Sequence, residues 1–137
     1  MYLRDYAEDY LKHSSINLFI NSSPDILPEI NVPPNWSHQI VPIFKEIITN
    51  AQKHSDAKNI YIDFSLIGNI LEIKIKDDGK GIENLNNFKG KGITNLKHRA
   101  ETIGASLAIN SENENGTQII FKAQLPFQGS IKQQNLN

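Results

Sequence analysis

The sequence predicts an α+β fold, a two-layer sandwich in which a mixed, mostly antiparallel sheet is covered by helices on one face. Segments whose apolar residues recur at helical spacing alternate along the chain with segments in which apolar and polar residues alternate. Several of the strand-like segments are joined by tight turns, which favour antiparallel neighbours. Helices packed on one side would bury the apolar face of such a sheet.

The N-terminal third is predicted to hold a short helix, a strand and a connecting segment. Residues 1–13 carry apolar side chains at helical spacing, and residues 16–20 alternate as a strand, with Leu18 and Ile20 on one face. Residues 22–35 contain four prolines. Proline removes backbone donors that a regular element needs, so we expect this segment to be a connection.

A second helix is predicted from an apolar stripe. Its members are Ile40, Ile43, Phe44, Ile47, Ile48 and Ala51. Pro42 lacks a backbone N–H and is best tolerated in the first turn of a helix. We therefore expect regular hydrogen bonding to begin near Gln39 or Ile40.

The remaining elements are a hairpin, a loop, a helix and a second hairpin. Residues 59–67 and 69–76 alternate around the turn Gly68-Asn69, and residues 77–91 are polar and glycine-rich. A helical stripe from Ile93 ends at Gly104. Two closing strands are then predicted, at residues 106–111 and 117–125, followed by a polar tail.

Composition limits the function. The 137 residues fit one domain, and 14 Lys and Arg against 15 Asp and Glu give a net charge of −1. That balance argues against direct nucleic-acid binding. The absence of cysteine excludes disulfides, thiolate zinc sites and cysteine nucleophiles. We find no apolar run long enough for a membrane span and expect no membrane contact by this chain.

The first candidate site motif lies on the second predicted helix. Glu46, Asn50 and Lys53 follow a spacing of four and three, which places them in one column away from the apolar stripe. A carboxylate, an amide and an ammonium in one column are able to hold a metal ion, a water and a phosphate. Taken alone, the column is more simply a solvated helix face.

Three glycine motifs follow. Asp77-Asp78-Gly79-Lys80-Gly81 comes directly after a strand, Gly90-Lys91-Gly92 opens a helix, and Gly116-Thr117 opens the last strand. A helix N-terminus offers free amide donors and a positive dipole end to an anion such as phosphate. Each motif alone is explained by an ordinary turn or a flexible loop.

The four motifs together, in this order, resemble the ATP-binding domain of sensor histidine kinases, a branch of the GHKL ATPase superfamily. Glu46 to His54 is similar to the N box, Asp77-x-Gly79-x-Gly81 to the G1 box, and Gly90-Lys91-Gly92-Ile93 to the G2 region. The short lid and the sequence Gly-Ile-Thr-Asn-Leu-Lys-His-Arg-Ala resemble the subclass paired with helix-turn-helix response regulators. The resemblance implies a sandwich of the GHKL ATPase (Bergerat) type.

The resemblance also implies roles. Asn50 would coordinate Mg²⁺, Glu46 would orient a water or polarise the attacking histidine, and Lys53 would face the phosphates. Asp77 would accept a hydrogen bond from the adenine amino group, supported by Thr117. The remaining implied nucleotide-binding positions are Gly79, Gly81, Gly90, Lys91, Gly92 and Ile93.

The implied activity is that of a protein histidine kinase catalytic domain, with ATP and Mg²⁺ as cofactors. Its partners would be the histidine-bearing dimerisation domain of the same kinase and a response regulator with a helix-turn-helix output, in the cytoplasm. Residues 1–14 would end the linker or dimerisation helix, residues 15–126 would form the ATP-binding domain, and residues 127–137 would be a polar tail. We expect the catalytic half of a larger kinase or a free-standing module, with little autophosphorylation by itself.

Two alternatives stay open on the sequence. One is a protein serine kinase like the anti-sigma factors of the same superfamily. The other is a regulator that keeps the fold without catalysis. Intact Asn50 and Asp77 argue against loss of the nucleotide, and the short lid argues against the serine kinase.

Overall fold

The computed structural model describes residues 3–22, 34–54, 56–80, 92–111 and 116–124. These residues form helices and strands in the predicted order. The elements are α1 (Leu3–Leu11), β1 (Asn17–Ser22), α2 (Pro34–His54), β2 (Asn59–Ile67), β3 (Ile70–Asp77), α3 (Gly92–Thr102), β4 (Ser106–Ser111) and β5 (Thr117–Gln124).

The strands form one mixed sheet with the spatial order β1-β2-β3-β5-β4. β1 runs parallel to β2, and α2 makes the connection between them. The pairs β2–β3, β3–β5 and β4–β5 are antiparallel. The predicted mixed, mostly antiparallel sheet is therefore confirmed.

The core lies between one face of the sheet and the helices. Alternate residues of each central strand point inward because side chains alternate along a strand. On the sheet side, the buried residues are Ile60, Ile62, Leu66, Leu71, Ile73, Ile75, Ile119, Phe121 and Ala123. On the helix side, they are Ala7, Leu11, Ile40, Ile43, Phe44, Ile47, Ile48, Ala51, Leu96 and Ala100. This two-layer arrangement confirms the predicted architecture.

The first helix packs against the second. The ring of Tyr6 meets Phe44 edge-on at a centroid distance of 6.2 Å. The hydroxyl of Tyr10 donates to Oε1 of Gln52 over 2.9 Å. With Ala7 fully buried between the layers, α1 belongs to the same packed core as α2.

The start of α2 differs from the prediction. The helix begins at Pro34, and Pro42 lies inside it instead of in its first turn. Proline at a helix start is favourable because its φ is already helical and its missing N–H has no partner there. At Pro42 the helix forgoes one backbone hydrogen bond. Ile40 and Ile43, on either side of Pro42, are both buried in the core, and their packing holds the helix in place where that hydrogen bond is missing.

Other boundaries agree within two residues. β2 and β4 match their predicted ranges, and the turn between β2 and β3 contains Gly68 with φ of +62°. β3 ends one residue later than predicted, at Asp77. The predicted segments at residues 23–33, 81–91 and 125–137 lie outside the described residues. Among the helices that are described, none is both long and apolar enough to cross a membrane.

Candidate functional site

Asp77 is the last residue of β3, and strand alternation turns its side chain to the helix-covered face. The residue is only 6% exposed, and it is the one charged residue buried in the part of the chain described. Its neighbours in the sheet are Ile60 on β2 and Thr117 on β5. A buried carboxylate at a strand end requires donors, because an unpaired charge away from water is costly.

Backbone groups partly meet that requirement. The amide of Gly79 donates to Oδ1 of Asp77 over 2.9 Å. Burial raises the pKa of Asp77, and the charge of Asp78 adds to the rise, while hydrogen bonds from the backbone of Gly79 and Thr117 oppose it. Asp77 is therefore an acceptor held in a low-dielectric setting, where a further donor would be bound strongly.

Gly116 brings the start of β5 unusually close to this carboxylate's own backbone. Its φ is +82°, and a Cβ built on it would lie 2.1 Å from the carbonyl oxygen of Asp77. A residue with a Cβ fits there only if one of the two backbone segments moves. The Gly-Thr pair noted in the sequence is thus explained by a close backbone approach beside Asp77.

Thr117 faces Asp77 in the sheet but uses its hydroxyl elsewhere. The hydroxyls of Thr117 and Ser111 lie 3.0 Å apart, which joins β4 to β5 at the same end of the sheet. Ser111 Oγ also lies 3.3 Å from the carbonyl oxygen of Gly116, to which it donates. The structure thus places Thr117 beside Asp77, with its backbone rather than its hydroxyl turned to the carboxylate.

The polar column of α2 lies at the edge of the core. Glu46 is exposed and Asn50 is half-buried, whereas Ile47 and Ile48 between them are buried. α2 ends at His54, and the chain enters β2 at Asn59, directly beside the end of β3. Asn50 therefore lies one turn before the end of α2 that leads to Asp77. The side chain of Lys53 lies outside the described residues.

The glycine-rich segment is described only at its two ends. Gly79 is buried and donates to Asp77, and Gly92 is the first residue of α3. Gly81, Gly90, Lys91 and the side chain of Ile93 lie outside the described residues. The C-terminal end of α3 leads into the start of β4, which is the end of the sheet far from Asp77.

Asp78 is a site residue that the sequence analysis did not single out. Its Oδ1 accepts the amides of Lys58 and Asn59, over 2.8 and 2.9 Å, and its Oδ2 accepts Nδ2 of Asn59 over 2.6 Å. Desolvation opposes ionisation, but these hydrogen bonds from Asn59 and Lys58 hold the pKa of Asp78 below its usual value. The available signal was an aspartate just past a strand end with asparagine at the start of the partner strand.

The open face of the sheet carries a shallow concavity of about 750 Å³. Phe19 and Tyr61 line it and stack with ring centroids 5.1 Å apart, beside Lys74 and Lys76. Asp78 lines this concavity too, whereas Asp77 points to the opposite face of the sheet, where the predicted nucleotide site lies.

The arrangement is suited to recognising an amine. A buried carboxylate that accepts the backbone amides of Gly79 and Thr117 still has lone pairs left for an external N–H donor. The described residues contain no group of three or more His, Asp or Glu that would hold a metal ion by themselves.

Comparison with known proteins identifies similar chains. Residues 37–128 match the family described as histidine kinase-, DNA gyrase B-, and HSP90-like ATPase. The chain is 34% identical over 108 residues to sensor histidine kinase YxjM of Bacillus subtilis, which is 79% of this chain and 26% of that protein. It is 30% identical over 100 residues to sensor protein VraS of Staphylococcus epidermidis, which is 72% of this chain and 29% of that protein. The chain thus spans under a third of these curated relatives.

A solved structure supports the same fold. The Erythrobacter litoralis EL346 blue-light activated histidine kinase superposes with a TM-score of 0.73 at 18% identity. The match covers 93% of this chain and 41% of that protein.

Proposed function

Because this chain belongs to the histidine kinase-, DNA gyrase B- and HSP90-like ATPase family and corresponds to the ATP-binding catalytic domain of sensor histidine kinases, we propose that it binds Mg·ATP at the end of β3 and donates the γ-phosphoryl group to a histidine of another domain. The observation that carries the proposal is the buried carboxylate of Asp77. Its free acceptor capacity suits the exocyclic amine of adenine.

Adenine recognition rests on the end of β3. Asp77 would accept the amine while the Gly79 amide donates to its Oδ1. Gly116 and Thr117 lie beside Asp77, at the start of β5. A guanine carbonyl at the same place would bring two acceptors together. This difference supports selectivity for adenine nucleotides.

The phosphates are assigned to α2 and to the start of α3. Asn50 would hold Mg²⁺ through its amide oxygen, a hard ligand of the kind Mg²⁺ prefers, and the ion would neutralise phosphate charge. We assign phosphate contacts to Lys53, Lys91 and the backbone of residues 90–93. Gly81 would begin the lid over the nucleotide.

Phosphoryl transfer would proceed mainly by positioning. A ring nitrogen of the acceptor histidine attacks the γ-phosphorus, the bond to the bridging oxygen of ADP breaks, and ADP leaves. We assign to Glu46, exposed on α2, the orientation of a water or the polarisation of the attacking histidine, whose ring proton would pass to that water or to the carboxylate. The histidine itself is supplied by a dimerisation domain.

The sensor histidine kinase relatives imply a phospho-acceptor domain and a response regulator in general terms. We propose a regulator with a helix-turn-helix output and a cytoplasmic location. We also propose that residues 15–126 form the ATP-binding domain, with residues 1–14 ending a linker helix that packs on α2.

The experiment is labelling of the dimerisation domain of the same kinase with γ-labelled ATP. We expect the label to be lost in acid and kept in base, as for phosphohistidine. Acid-stable label would favour the protein serine kinase. The absence of labelling despite saturable ATP binding would favour a non-catalytic regulator.

A further inference from the structure

We propose that Asp78 is a positioning residue for Asp77, and that it acts through a hydrogen-bonded row formed by Asn17, Asn59 and Asp78 across the ends of β1, β2 and β3. This inference rests on the proposed function, in which Asp77 recognises adenine. Asp78 itself touches no part of the nucleotide in this proposal. It fixes the strand end from which Asp77 projects.

The row is continuous across three strands. Asn17 Nδ2 donates to Asn59 Oδ1 over 3.2 Å, and Asn59 Nδ2 donates to Asp78 Oδ2 over 2.6 Å. The backbone reinforces it, because the amide of Asn17 donates to the carbonyl of Lys58 over 2.8 Å. Each asparagine amide therefore has an orientation set by its neighbour.

The carboxylate of Asp78 also ends the pairing of β2 with β3. Its Oδ1 accepts the amides of Lys58 and Asn59, while its own amide donates to the Asn59 carbonyl over 3.3 Å. A side-chain oxygen thus takes the place of the next backbone acceptor. The chain is then free to turn after Asp78, and that turn brings the Gly79 amide back to Asp77.

The same contacts tie the adenine end of the site to the metal end. Lys58 and Asn59 lie on the short path from α2, which carries Asn50, into β2. Asp78 holds that path from the β3 side. Asp78 is itself exposed, but it accepts three hydrogen bonds of 2.6 to 2.9 Å, two of them from backbone amides. The exposed pair of Lys80 with Asp56 has one contact of 3.7 Å between two mobile side chains, and water competes more readily for it.

The test uses exchange of the two side chains. Asp78→Ala removes the acceptor of three donors, and Asp78→Asn places an amide opposite the Asn59 amide. The double variant Asn59→Asp with Asp78→Asn restores the row with the middle hydrogen bond reversed. Asp63→Asn, an exposed carboxylate on the open face of β2, is the matched control.

Two quantities are measured on folded protein. One is the pair of Kd values for ATP and for inosine triphosphate, which has a carbonyl in place of the amine. The other is the hydrogen-exchange protection of the Gly79 amide, which donates to Asp77. We expect Asp78→Ala to weaken ATP binding at least tenfold, to reduce the preference for ATP over inosine triphosphate and to lower the exchange protection of the Gly79 amide. Asp78→Asn should give a smaller change of the same kind. The exchange variant should have a Kd for ATP within threefold of the wild-type value. Asp63→Asn should also bind ATP within threefold of wild type.

Wild-type ATP affinity with unchanged exchange protection of the Gly79 amide in Asp78→Asn would overturn the proposal. So would an exchange variant that binds ATP no more tightly than Asp78→Asn. If Asp78→Ala does not fold, the ATP affinities of Asp78→Asn and of the exchange variant decide whether the proposal holds. If wild type binds no ATP, the proposed function fails, and the exchange protection of the Gly79 amide alone decides whether Asp78 positions Asp77.

Discussion

Replacing Asp77 with asparagine tests the nucleotide site most directly. The change keeps the size of the side chain but exchanges one acceptor oxygen for an N–H₂ donor. In the orientation that preserves the bond from the Gly79 amide, 2.9 Å in wild type, the new donor faces the adenine amine. The charge-assisted bond to adenine is then lost, and two donors oppose each other.

The magnitude follows from the setting of the carboxylate. A hydrogen bond to a charged group contributes about 1.5–3 kcal/mol. With only 6% of Asp77 exposed, water does not readily replace the lost bond. Since about 1.4 kcal/mol is tenfold in affinity, Asp77→Asn should raise the Kd for Mg·ATP by roughly 10- to 150-fold.

Calorimetric titration at neutral pH measures the effect, with Asp63→Asn as the control for loss of an exposed carboxylate. Circular dichroism establishes that each variant is folded. A folded Asp77→Asn protein with a Kd within threefold of wild type would refute the assignment of Asp77 to the adenine amine.

Asp77→Asn should also change how the free energy of unfolding depends on pH. Because burial raises the pKa of Asp77, the folded protein binds that proton more tightly than the unfolded chain does. The contribution of Asp77 to folding is therefore most favourable below the ordinary aspartate pKa, and falls as the pH rises through its raised value. Asp77→Asn should accordingly gain stability relative to wild type between acid and neutral pH. Urea unfolding at both pH values measures this, and a constant difference would contradict it.

Four further substitutions have defined outcomes. Gly116→Ala should destabilise by about 2–4 kcal/mol, because left-handed strain adds to overpacking against the Asp77 carbonyl. Gly68→Ala, with φ of +62° and nothing within 4 Å, should cost only about 1–2 kcal/mol in the same urea series, so equal losses would argue against the close approach. Asn50→Ala should weaken ATP binding in Mg²⁺ and leave binding in EDTA unchanged; equal losses in both would remove Asn50 from the metal. Glu46→Gln should leave ATP affinity unchanged and slow phosphorylation of the dimerisation domain at least tenfold, and an unchanged rate would exclude its catalytic role.

Most of the fold was predictable because its signals are local. The alternation along β2 and β3 around Gly68 specifies a hairpin whatever surrounds it, and the buried stripe from Ile40 to Ala51 specifies a helix face. The start of α2 was not predictable from local rules. Burial on both sides of Pro42 compensates for its missing hydrogen bond, and that compensation is a tertiary effect.

In the candidate site, too, some residues could be predicted from local sequence and others depend on tertiary contacts. Asp77 and Gly116 were found because glycines mark close backbone approaches in the sequence. Asp78 was not, because its importance depends on Lys58 and Asn59, which are about twenty residues away and meet it only once β2 pairs with β3. The ligand-binding and catalytic roles of all these residues, Asp77 as well as Glu46, Asn50 and Lys53, remain predictions.

The parallel pairing of β1 with β2 has a consequence for how the chain acquires its shape. The β2–β3 and β4–β5 hairpins close over short stretches, whereas Asn17 must find Asn59 across 42 residues, with α2 in place between them. Such distant pairings form slowly, because the loop entropy is lost before the contacts compensate for it. Asn50 lies on α2 between these two strands, and Asp77 lies in the β2–β3 hairpin, where its pairing with Thr117 of β5 is also distant in sequence. We therefore expect the nucleotide site to be completed late in folding. Nucleotide at one hundred times its Kd would then favour the finished state by about 2.7 kcal/mol.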